Sequence, residues 1–482
     1  MTFNNTLFFA KKNFGLSLML IIALFMYACS DETDPNPEPE IEDVAANTKP
    51  FIKGAGGTED EDARASITDA IGNLYVTGNF KGTITFEDKT LTSKGYEDAF
   101  LAKYDTNGKL IWLRHFSGPS YSSGRCLAID NSGNIVVGGE FSGALTIGET
   151  ELTAYGQYNT FIAKYKKNGD FISAMKDGTS GPGSAYGLSW IRSILFDAAG
   201  NMYIAGTFYY ETVFGDISLI GSEDYEDQMF VVKYNTSNQV VWANKCDGTA
   251  IGEDAAISKD GTKVYVTGRM YGTVTFGEGE AATELTSAGE GDIFMVGYST
   301  SSGDLFTAER AGDTGNDGGY GMAVDSQGFI YVTGYFQKDI TYGSTTVTAV
   351  GFNDMFLIKW GSGEIQWVRH SHGYAAGTTV AIDADDKVFV SGWFTAESNF
   401  GSGAVTPTGA MDIFAAKYDG TGSCVWVDHA GGTQSDWSQS MCIDKLGNVF
   451  ATGIFSGSTK YGNTTLTAAG GRDIMMVKMS SK

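Results

Sequence analysis

Proline, histidine and cysteine are scarce in this sequence, which has seven, four and five of them among 482 residues. The cysteines form no Cys-x-x-Cys pair, so neither a disulfide framework nor a cysteine-based metal centre is expected. Four of them fall at differing places along the chain, and we predict that these are mostly buried free thiols. A single disulfide bridge is the open alternative for these four, which are Cys126, Cys246, Cys424 and Cys442.

Positive charge is also in short supply. Lys and Arg number 33 against 57 Asp and Glu, which gives a formal net charge of −24. Binding to nucleic acid needs clustered Lys and Arg, so no nucleic-acid partner is expected. The same balance argues against adsorption to anionic lipid. We interpret the charge as a solvated acidic surface that keeps the protein soluble.

Recognised catalytic motifs are missing. The sequence has no Gly-x-Ser-x-Gly elbow, His-Glu-x-x-His pair, phosphate loop or dinucleotide glycine fingerprint. His115, His370 and His429 each follow a tryptophan by three residues, so they belong to a repeated unit rather than to one site. His372 alone is a poor basis for a metal centre. We therefore assign no catalytic residue and no metal ligand.

Glycine, with 64 residues, is abundant, and it closes a strand-like segment that recurs along the chain. The first copy is Gly-Asn-Leu-Tyr-Val-Thr-Gly-Asn-Phe at 72–80. Recurrence of one unit at a nearly constant spacing indicates a repeat architecture. The closing glycines of the seven copies are Gly78, Gly139, Gly206, Gly268, Gly334, Gly392 and Gly453.

Each unit divides into four strands. In the first unit they fall at 65–68, 74–80, 98–104 and 110–114, and an excursion at 81–97 carries short strands of its own. The third strand recurs around Phe161, Phe230, Phe294, Phe356, Phe414 and Met475. Seven four-stranded units predict an all-β fold, a single seven-bladed β-propeller over residues 50–482, which leaves no long exposed sheet edge.

The two ends of the chain fit together in this interpretation. The seventh unit stops after its third strand, at 473–478. The N-terminal segment 51–57, Phe-Ile-Lys-Gly-Ala-Gly-Gly, matches the fourth strand of the sixth unit at 426–432, Trp-Val-Asp-His-Ala-Gly-Gly. We expect the N-terminal strand to pair beside the Met475 strand and close the ring, with Phe51 in the position of the tryptophan.

The first 49 residues are typical of an exported, tethered protein. Lys11 and Lys12 precede an apolar run, 16–27, that is too short to span a bilayer, and we interpret 1–28 as a signal peptide. The sequence Met-Tyr-Ala-Cys ending at Cys29 resembles a bacterial lipobox, with Met where Leu is usual, which implies that Cys29 is acylated. Residues 29–49 are predicted to be an acidic, disordered tether.

The same region suggests a location. Ser-Asp-Glu at 30–32 resembles the acidic export signal of surface-displayed lipoproteins of some Gram-negative bacteria, which predicts an outer-membrane lipoprotein on the cell surface. The alternative is an ordinary acidic tether that faces the periplasm. Contact with the membrane is expected through the lipid anchor only.

Two family resemblances cover residues 50–482. The unit Asp-x-x-Gly-Asn-x-Tyr-Val-Thr-Gly, with its later Asp-x-Phe-x-x-Lys-Tyr, resembles the seven-bladed β-propeller (SBBP) repeats of bacterial exported proteins, which implies a fold and no particular chemistry. The segment 103–112 resembles the tryptophan-docking motif of pyrroloquinoline-quinone-type propellers, in which the ring packs between blades. By this resemblance a structural role is implied for Trp112, Trp242, Trp367, Trp426 and Phe51.

No cofactor is expected, because docking motifs of this kind also occur in propellers that bind no quinone. Calcium at the acidic run 59–62 is the alternative, although that run lacks the alternating oxygen ligands of a recognised calcium loop. Aspartates at the Asp69 and Asp98 positions recur in most units, so we interpret them as structural.

The crossings between units carry aromatic residues, and we expect them on the same face as the excursions. Aromatic rings on a polar face suit stacking against sugar or peptide, although they could instead pack their own loops. The leading hypothesis is therefore a monomeric, non-enzymatic binding or scaffold protein for a glycan or protein ligand. The alternatives are a polysaccharide hydrolase or lyase that uses loop carboxylates, and a structural envelope component. The ligand-binding candidates are Tyr121, Tyr186, Trp190, Tyr320 and Trp437.

Overall fold

The computed structural model describes residues 49–178, 188–222, 226–342, 345–361 and 363–479. These residues form β-strands joined by turns, with one 3-10 turn at Gly279–Ala281. The predicted signal peptide, Cys29, nearly all of the tether and Tyr186 lie outside the described residues. Within the described ranges there is no helix of the length and apolarity that crossing a membrane requires.

Antiparallel strand pairing follows the sequence repeats, which we call units. Strand β1 (Phe51–Gly57) comes first in the chain. Unit 1 contains β2 (Glu61–Thr68), β3 (Leu74–Phe80), a side hairpin of β4 (Thr83–Phe86) and β5 (Lys89–Thr92), β6 (Asp98–Tyr104) and β7 (Leu110–Phe116). Unit 2 contains β8 (Ser122–Ile129), β9 (Ile135–Phe141), the hairpin of β10 (Ala144–Ile147) and β11 (Thr150–Thr153), β12 (Asn159–Tyr165) and β13 (Phe171–Asp177). Unit 3 contains β14 (Leu188–Phe196), β15 (Met202–Tyr209), the hairpin of β16 (Glu211–Phe214) and β17 (Ile217–Ile220), β18 (Gln228–Tyr234) and the first part of β19 (Val240–Ile257).

The remaining units follow the same order. Unit 4 contains the second part of β19, β20 (Lys263–Phe276), β21 (Thr283–Thr286), β22 (Asp292–Ser299) and β23 (Leu305–Ala311). Unit 5 contains β24 (Gly318–Val324), β25 (Ile330–Phe336), the hairpin of β26 (Asp339–Tyr342) and β27 (Thr345–Thr348), β28 (Asp354–Gly361) and β29 (Glu364–His370). Unit 6 contains β30 (Ala375–Ile382), β31 (Val388–Phe394), the hairpin of β32 (Ser398–Asn399) and β33 (Ala404–Val405), β34 (Asp412–Tyr418) and β35 (Cys424–Gly432). Unit 7 contains β36 (Asp436–Ile443), β37 (Val449–Tyr461) and β38 (Thr464–Met479). The strands of units 3 and 4 share an eight-stranded sheet, and those of units 6 and 7 share a ten-stranded sheet with β1, β4 and β5.

Strand β1 completes unit 7. It pairs antiparallel with β38, from Phe51 opposite Lys478 to Ala55 opposite Ile474, which is the pairing expected from the match between the two chain ends. The ring of Phe51 packs over Gly108 in unit 1, where an added Cβ would lie 2.8 Å from it. None of the described sheets is closed on itself by hydrogen bonds.

The second and third strands, in the middle of each unit, are the most deeply buried. All seven residues of β3 and of β6 are buried, so these strands carry apolar side chains on both faces rather than on alternate ones. The fourth strands are partly exposed, as at Ile111. The core therefore lies between neighbouring units, in successive clusters that each combine residues of two adjacent units.

The closing glycine of each repeat has a backbone explanation. Opposite it, the first strand of every unit carries a β-bulge, which leaves one residue without a partner on the second strand. A Cβ at Gly206, for example, would overlap the carbonyl oxygen of Trp190 on the bulged strand. The bulged residues are Arg64, Arg125, Arg192, Glu253, Tyr320, Thr378 and Gln439.

The docking tryptophans contact the following unit. Trp112 Nε1 donates to the carbonyl oxygen of Lys167 at 3.0 Å, and its ring lies 3.0 Å from where a Cβ on Gly169 would be. Trp242 Nε1 donates in the same way to Thr300 O, at 3.3 Å. Trp367 and Trp426 stand at the equivalent positions of β29 and β35.

The four cysteines of the described chain are free thiols, as predicted. Cys126, Cys246 and Cys442 are buried, and burial raises the pKa of the Cys442 thiol to about 12. Such thiols are inert at neutral pH.

Candidate functional site

One face of the molecule carries both long connections of every unit. The excursion of one unit ends beside the start of the next first strand, as in the parallel bridges between Glu97 and Tyr121 and between Gly291 and Asn316. The crossings and the excursions therefore share a face, as the strand order predicts. Loops on a rigid scaffold commonly carry function.

A central depression of 740 Å³ opens on this face, and residues from all seven units line it. All seven bulged residues take part, because a bulge turns one side chain per unit toward the centre. A narrower space of 300 Å³, also lined by Arg64, Arg125 and Arg192, adjoins it.

A second position lies beside the bulge, and in units 5 to 7 it also lines the depression. It is the residue directly after the closing glycine, which we call the post-glycine position. In several units the two positions contact each other: Arg125 pairs with Glu140, and the rings of Tyr320 and Tyr335 lie 5.5 Å apart. The post-glycine residues are Asn79, Glu140, Thr207, Arg269, Tyr335, Trp393 and Ile454.

The side of the depression formed by units 1 to 4 is charged. Arg64 Nη2 lies 2.7 Å from Asp62 Oδ2, and Arg269 Nη2 lies 2.9 Å from Glu253 Oε1. Burial and the neighbouring guanidinium of Arg125 lower the pKa of Arg64. These contacts hold the arginines in fixed positions around the centre.

The side formed by units 5 to 7 is aromatic. Tyr374 lies against Trp393, with ring centroids 5.6 Å apart, and Trp393 lies against Trp437 at 5.8 Å. Trp437 is 43% exposed, so one of its faces is available to a ligand. Amide side chains stand among the rings, such as Gln337, whose Nε2 donates to Asn353 Oδ1 at 2.8 Å. Rings with interspersed polar groups are typical of ligand pockets.

The predicted binding candidates divide into two groups. Tyr320 and Trp437 line the depression together. Tyr121 and Trp190 do not line it: the Tyr121 hydroxyl lies 3.1 Å from Glu140 Oε1, and Trp190 packs edge-on against Tyr209 at 5.2 Å. Trp190 and Trp437 occupy the same register position, two residues before the bulge, so the two indoles form a matched pair.

Sequence reasoning missed the arginines. Arg64, Arg125 and Arg192 each stand fourteen residues before a closing glycine (78 − 64, 139 − 125 and 206 − 192). That shared spacing places them at one repeat position, which carries other residues in units 4 to 7. The sequence signal that could have identified these arginines is that their position varies from unit to unit while the rest of the repeat is uniform.

The carboxyl groups at the unit junctions form hydrogen bonds and ion pairs within the protein. His115 Nε2 lies 2.7 Å from Asp98 Oδ2, and the backbone N–H of Lys94 donates to that same oxygen at 2.9 Å. At other junctions a second acid faces the first: burial raises the pKa of Asp436, near Asp412, to about 7. Burial likewise raises the pKa of Asp317 and Glu61, to about 7 and 8.

Metal binding finds no support in the part of the chain that the structure describes. There, no three His, Cys, Asp or Glu side chains come close enough to hold a metal ion. The acidic run at 59–62 is split between an exposed ion pair, Asp60 with Arg472 at 3.3 Å, and the buried Glu61. The absence of a cofactor stays a prediction.

Comparison with known proteins gives one family match and distant relatives. Residues 308–335 match the model of the family described as Beta-propeller repeat (SBBP). An uncharacterized WD repeat-containing protein of Acanthamoeba polyphaga mimivirus is 22% identical, over 81% of this chain and 35% of its own length. The chain thus spans about a third of that relative.

Two solved structures are also similar. The Dos1 propeller has a TM-score of 0.44 at 8% identity, covering 90% of this chain and 96% of its own. The β-propeller domain of the trilobed protease from Pyrococcus furiosus has a TM-score of 0.42 at 10% identity, covering 89% and 96%. The family match lies on β23 to β25, so these strands form a repeat of the β-propeller type.

Proposed function

We propose that this chain is a non-enzymatic binding protein that holds a glycan in its central depression. The observation that carries the proposal is the arc of Tyr374, Trp393 and Trp437, which lines a depression to which every unit contributes. Aromatic faces stack on sugar rings, and the amides among them offer both donors and acceptors to hydroxyl groups.

The proposal includes a seven-bladed propeller in which β1 closes the ring. Three observations support closure. The first strands of successive units lie side by side, and β36 lies beside β2, where Ser66 N donates to Ser440 Oγ at 3.0 Å. Strand β1 pairs with β38. Phe51 packs over Gly108 as Trp112 packs over Gly169.

A closed ring would make the depression rigid. Contacts between neighbouring units fix bulged side chains in place, as where Arg64 Nη1 donates to Gln439 Oε1 at 3.1 Å. Rigid placement lowers the entropy lost on binding. This favours a binding site over a passive structural surface.

The location is part of the proposal. Acylation of Cys29 would attach the chain to the outer membrane, and residues 29–49 would hold the folded part away from it. The Cys29→Ala variant is expected to leave the membrane fraction of the producing cells. Digestion of intact cells by an added protease would distinguish display on the surface from retention in the periplasm.

The hydrolase alternative needs accessible carboxyl groups. Three acids with raised pKa, Glu61, Asp317 and Asp436, are each 0% exposed, so substrate cannot reach them in this conformation. Asp254, whose pKa burial raises to about 6, lines the narrower space, but its two carboxylate oxygens accept hydrogen bonds from the backbone N–H groups of Ala255 and Met322. No observation favours that alternative.

The test is a glycan array probed with the full-length chain in mild detergent. Loss of the Trp437 indole should weaken binding about tenfold, since one stacking contact contributes about 1–1.5 kcal/mol. Trp190→Ala is the matched control, because the Trp190 indole has the same register but lies against Tyr209. Binding that is unchanged in Trp437→Ala, or the absence of any bound glycan, would refute the proposal.

A further inference from the structure

We infer that the ligand carries an anionic group, a sugar carboxylate or sulfate, and that this group binds the guanidinium of Arg192. The inference rests on the proposed glycan-binding function and specifies its ligand class. It starts from a local reversal of charge: the chain has a net charge of −24, yet four arginines and two acids line its central depression.

Three of the four arginines already have partners. Arg64 binds Asp62, Arg125 binds Glu140 beneath the surface, and Arg472 pairs with an aspartate at the rim. In units 1 and 2 the partner of the bulged arginine comes from its own sheet. Their charges are therefore largely satisfied within the protein.

The bulged arginine of unit 3, Arg192, has no such partner in its own sheet. The post-glycine residue that could pair with Arg192 is Thr207, which is uncharged and lies near Gly252 instead, its Oγ1 3.5 Å from that carbonyl oxygen. Arg192 has an ion-pair contact with Glu253, but its Nε lies 3.8 Å from Oε2, too far for a hydrogen bond.

The Arg192 guanidinium is consequently available. Its buried Nε has no hydrogen-bond partner among the described residues, and its side chain is 33% exposed and lines the depression. The carboxylate of Glu253 is engaged on its other oxygen by Arg269. Asp227 is another acid near enough to act on Arg192, and burial raises the pKa of its carboxyl.

The chemistry of arginine selects the ligand group. Its planar fork donates two parallel hydrogen bonds, a geometry that carboxylate and sulfate oxygens both match. No lysine lines the depression. The aromatic arc across the centre favours a sugar as the carrier of the anion, because an acidic peptide would offer few flat faces to Trp393 and Trp437.

The experiment compares charged and uncharged forms of the same sugar. Oligogalacturonate and its methyl ester form one pair, and sulfated and unmodified dextran oligosaccharides form the other. Affinity of the full-length chain for each is measured by calorimetry at low and high salt. We expect the acid or the sulfate to bind at least about tenfold more tightly than its uncharged form, and less tightly as salt rises.

Variants connect that preference to Arg192. Arg192→Gln should abolish the tenfold preference, whereas Arg192→Lys should retain part of it. Lys445→Gln removes one positive charge from an exposed turn and serves as the control. Unchanged unfolding midpoints for all three variants confirm that the fold is intact.

The outcomes separate the two proposals. Equal affinity for charged and uncharged sugars, with both lowered by Trp437→Ala, overturns the role of Arg192 and leaves glycan binding in place. Binding of an acidic peptide, but of no sugar, overturns both. A preference for the charged sugar that survives in Arg192→Gln moves the anion to another arginine and overturns this assignment.

Discussion

Truncation of Ile52 to alanine should destabilise the whole protein, although Ile52 lies at the N-terminal end of the fold. Its side chain is 3% exposed and packs with Val449, Met475 and Val477, all near the opposite end of the sequence. Removing a buried Ile side chain down to Ala costs about 2–5 kcal/mol. That is a large part of the roughly 5–15 kcal/mol by which most proteins are stable.

The control comes from the same kind of strand in another unit. Ile111 in β7 is 44% exposed, so Ile111→Ala should change the free energy of unfolding by less than about 0.5 kcal/mol. The comparison isolates burial, because both changes remove the same atoms from a fourth strand.

Urea denaturation followed by tryptophan fluorescence measures both variants. The Ile52→Ala midpoint should fall clearly below that of Ile111→Ala, with similar slopes. A companion pair of deletions tests the strand as a whole: removal of 30–49 should leave the melting temperature unchanged, and removal of 50–57 should lower it. Equal midpoints in the first pair and equal melting temperatures in the second would refute the role of β1 in holding unit 7 together.

Three further predictions concern stability. Burial raises the folded-state pKa of Asp436 to about 7 from 3.8, so the folded state favours the protonated acid, and the free energy of unfolding should fall as pH rises from about 4 through about 7. Asp436→Asn should reduce that fall by at most about 4 kcal/mol, which unfolding midpoints between pH 5 and 8 would measure. Gly206→Ala should cost about 1–3 kcal/mol, since its Cβ would overlap the Trp190 carbonyl, whereas Gly420→Ala, with open space around its Cβ, should change the unfolding midpoint little. Trp112→Phe should cost about 1 kcal/mol in the same assay through loss of the hydrogen bond to Lys167 O, and a variant as stable as the parent would contradict that bond's contribution.

Most of the strands were predictable from sequence because the information is local. Alternation and apolar runs located β3, β6 and their equivalents, and the match of 51–57 to 426–432 identified the partner of β1. The repeated glycine marked every second strand. The sequence alone did not explain why this glycine recurs. In the structure the bulged first strand lies against it and leaves no room for a Cβ.

The binding candidates were harder to choose from sequence, because a side chain's neighbours in a repeat protein come from other units. Tyr320 and Trp437 lie far apart in the chain and line one depression, whereas Trp190, with the same register as Trp437, packs on Tyr209 instead. Trp393 was not among the predicted candidates, yet it joins the aromatic arc.

The sequence by itself determined the strands, their grouping into units and the partner of the N-terminal strand, because periodicity and self-similarity are properties of neighbouring residues and of copies of one segment. Only the tertiary structure decided which positions face the centre and which charged side chains lack a hydrogen-bonded partner there. Whether a guanidinium such as that of Arg192 finds a carboxylate depends on the post-glycine residue of its sheet and on the acids of the next unit, and those distances are set by packing.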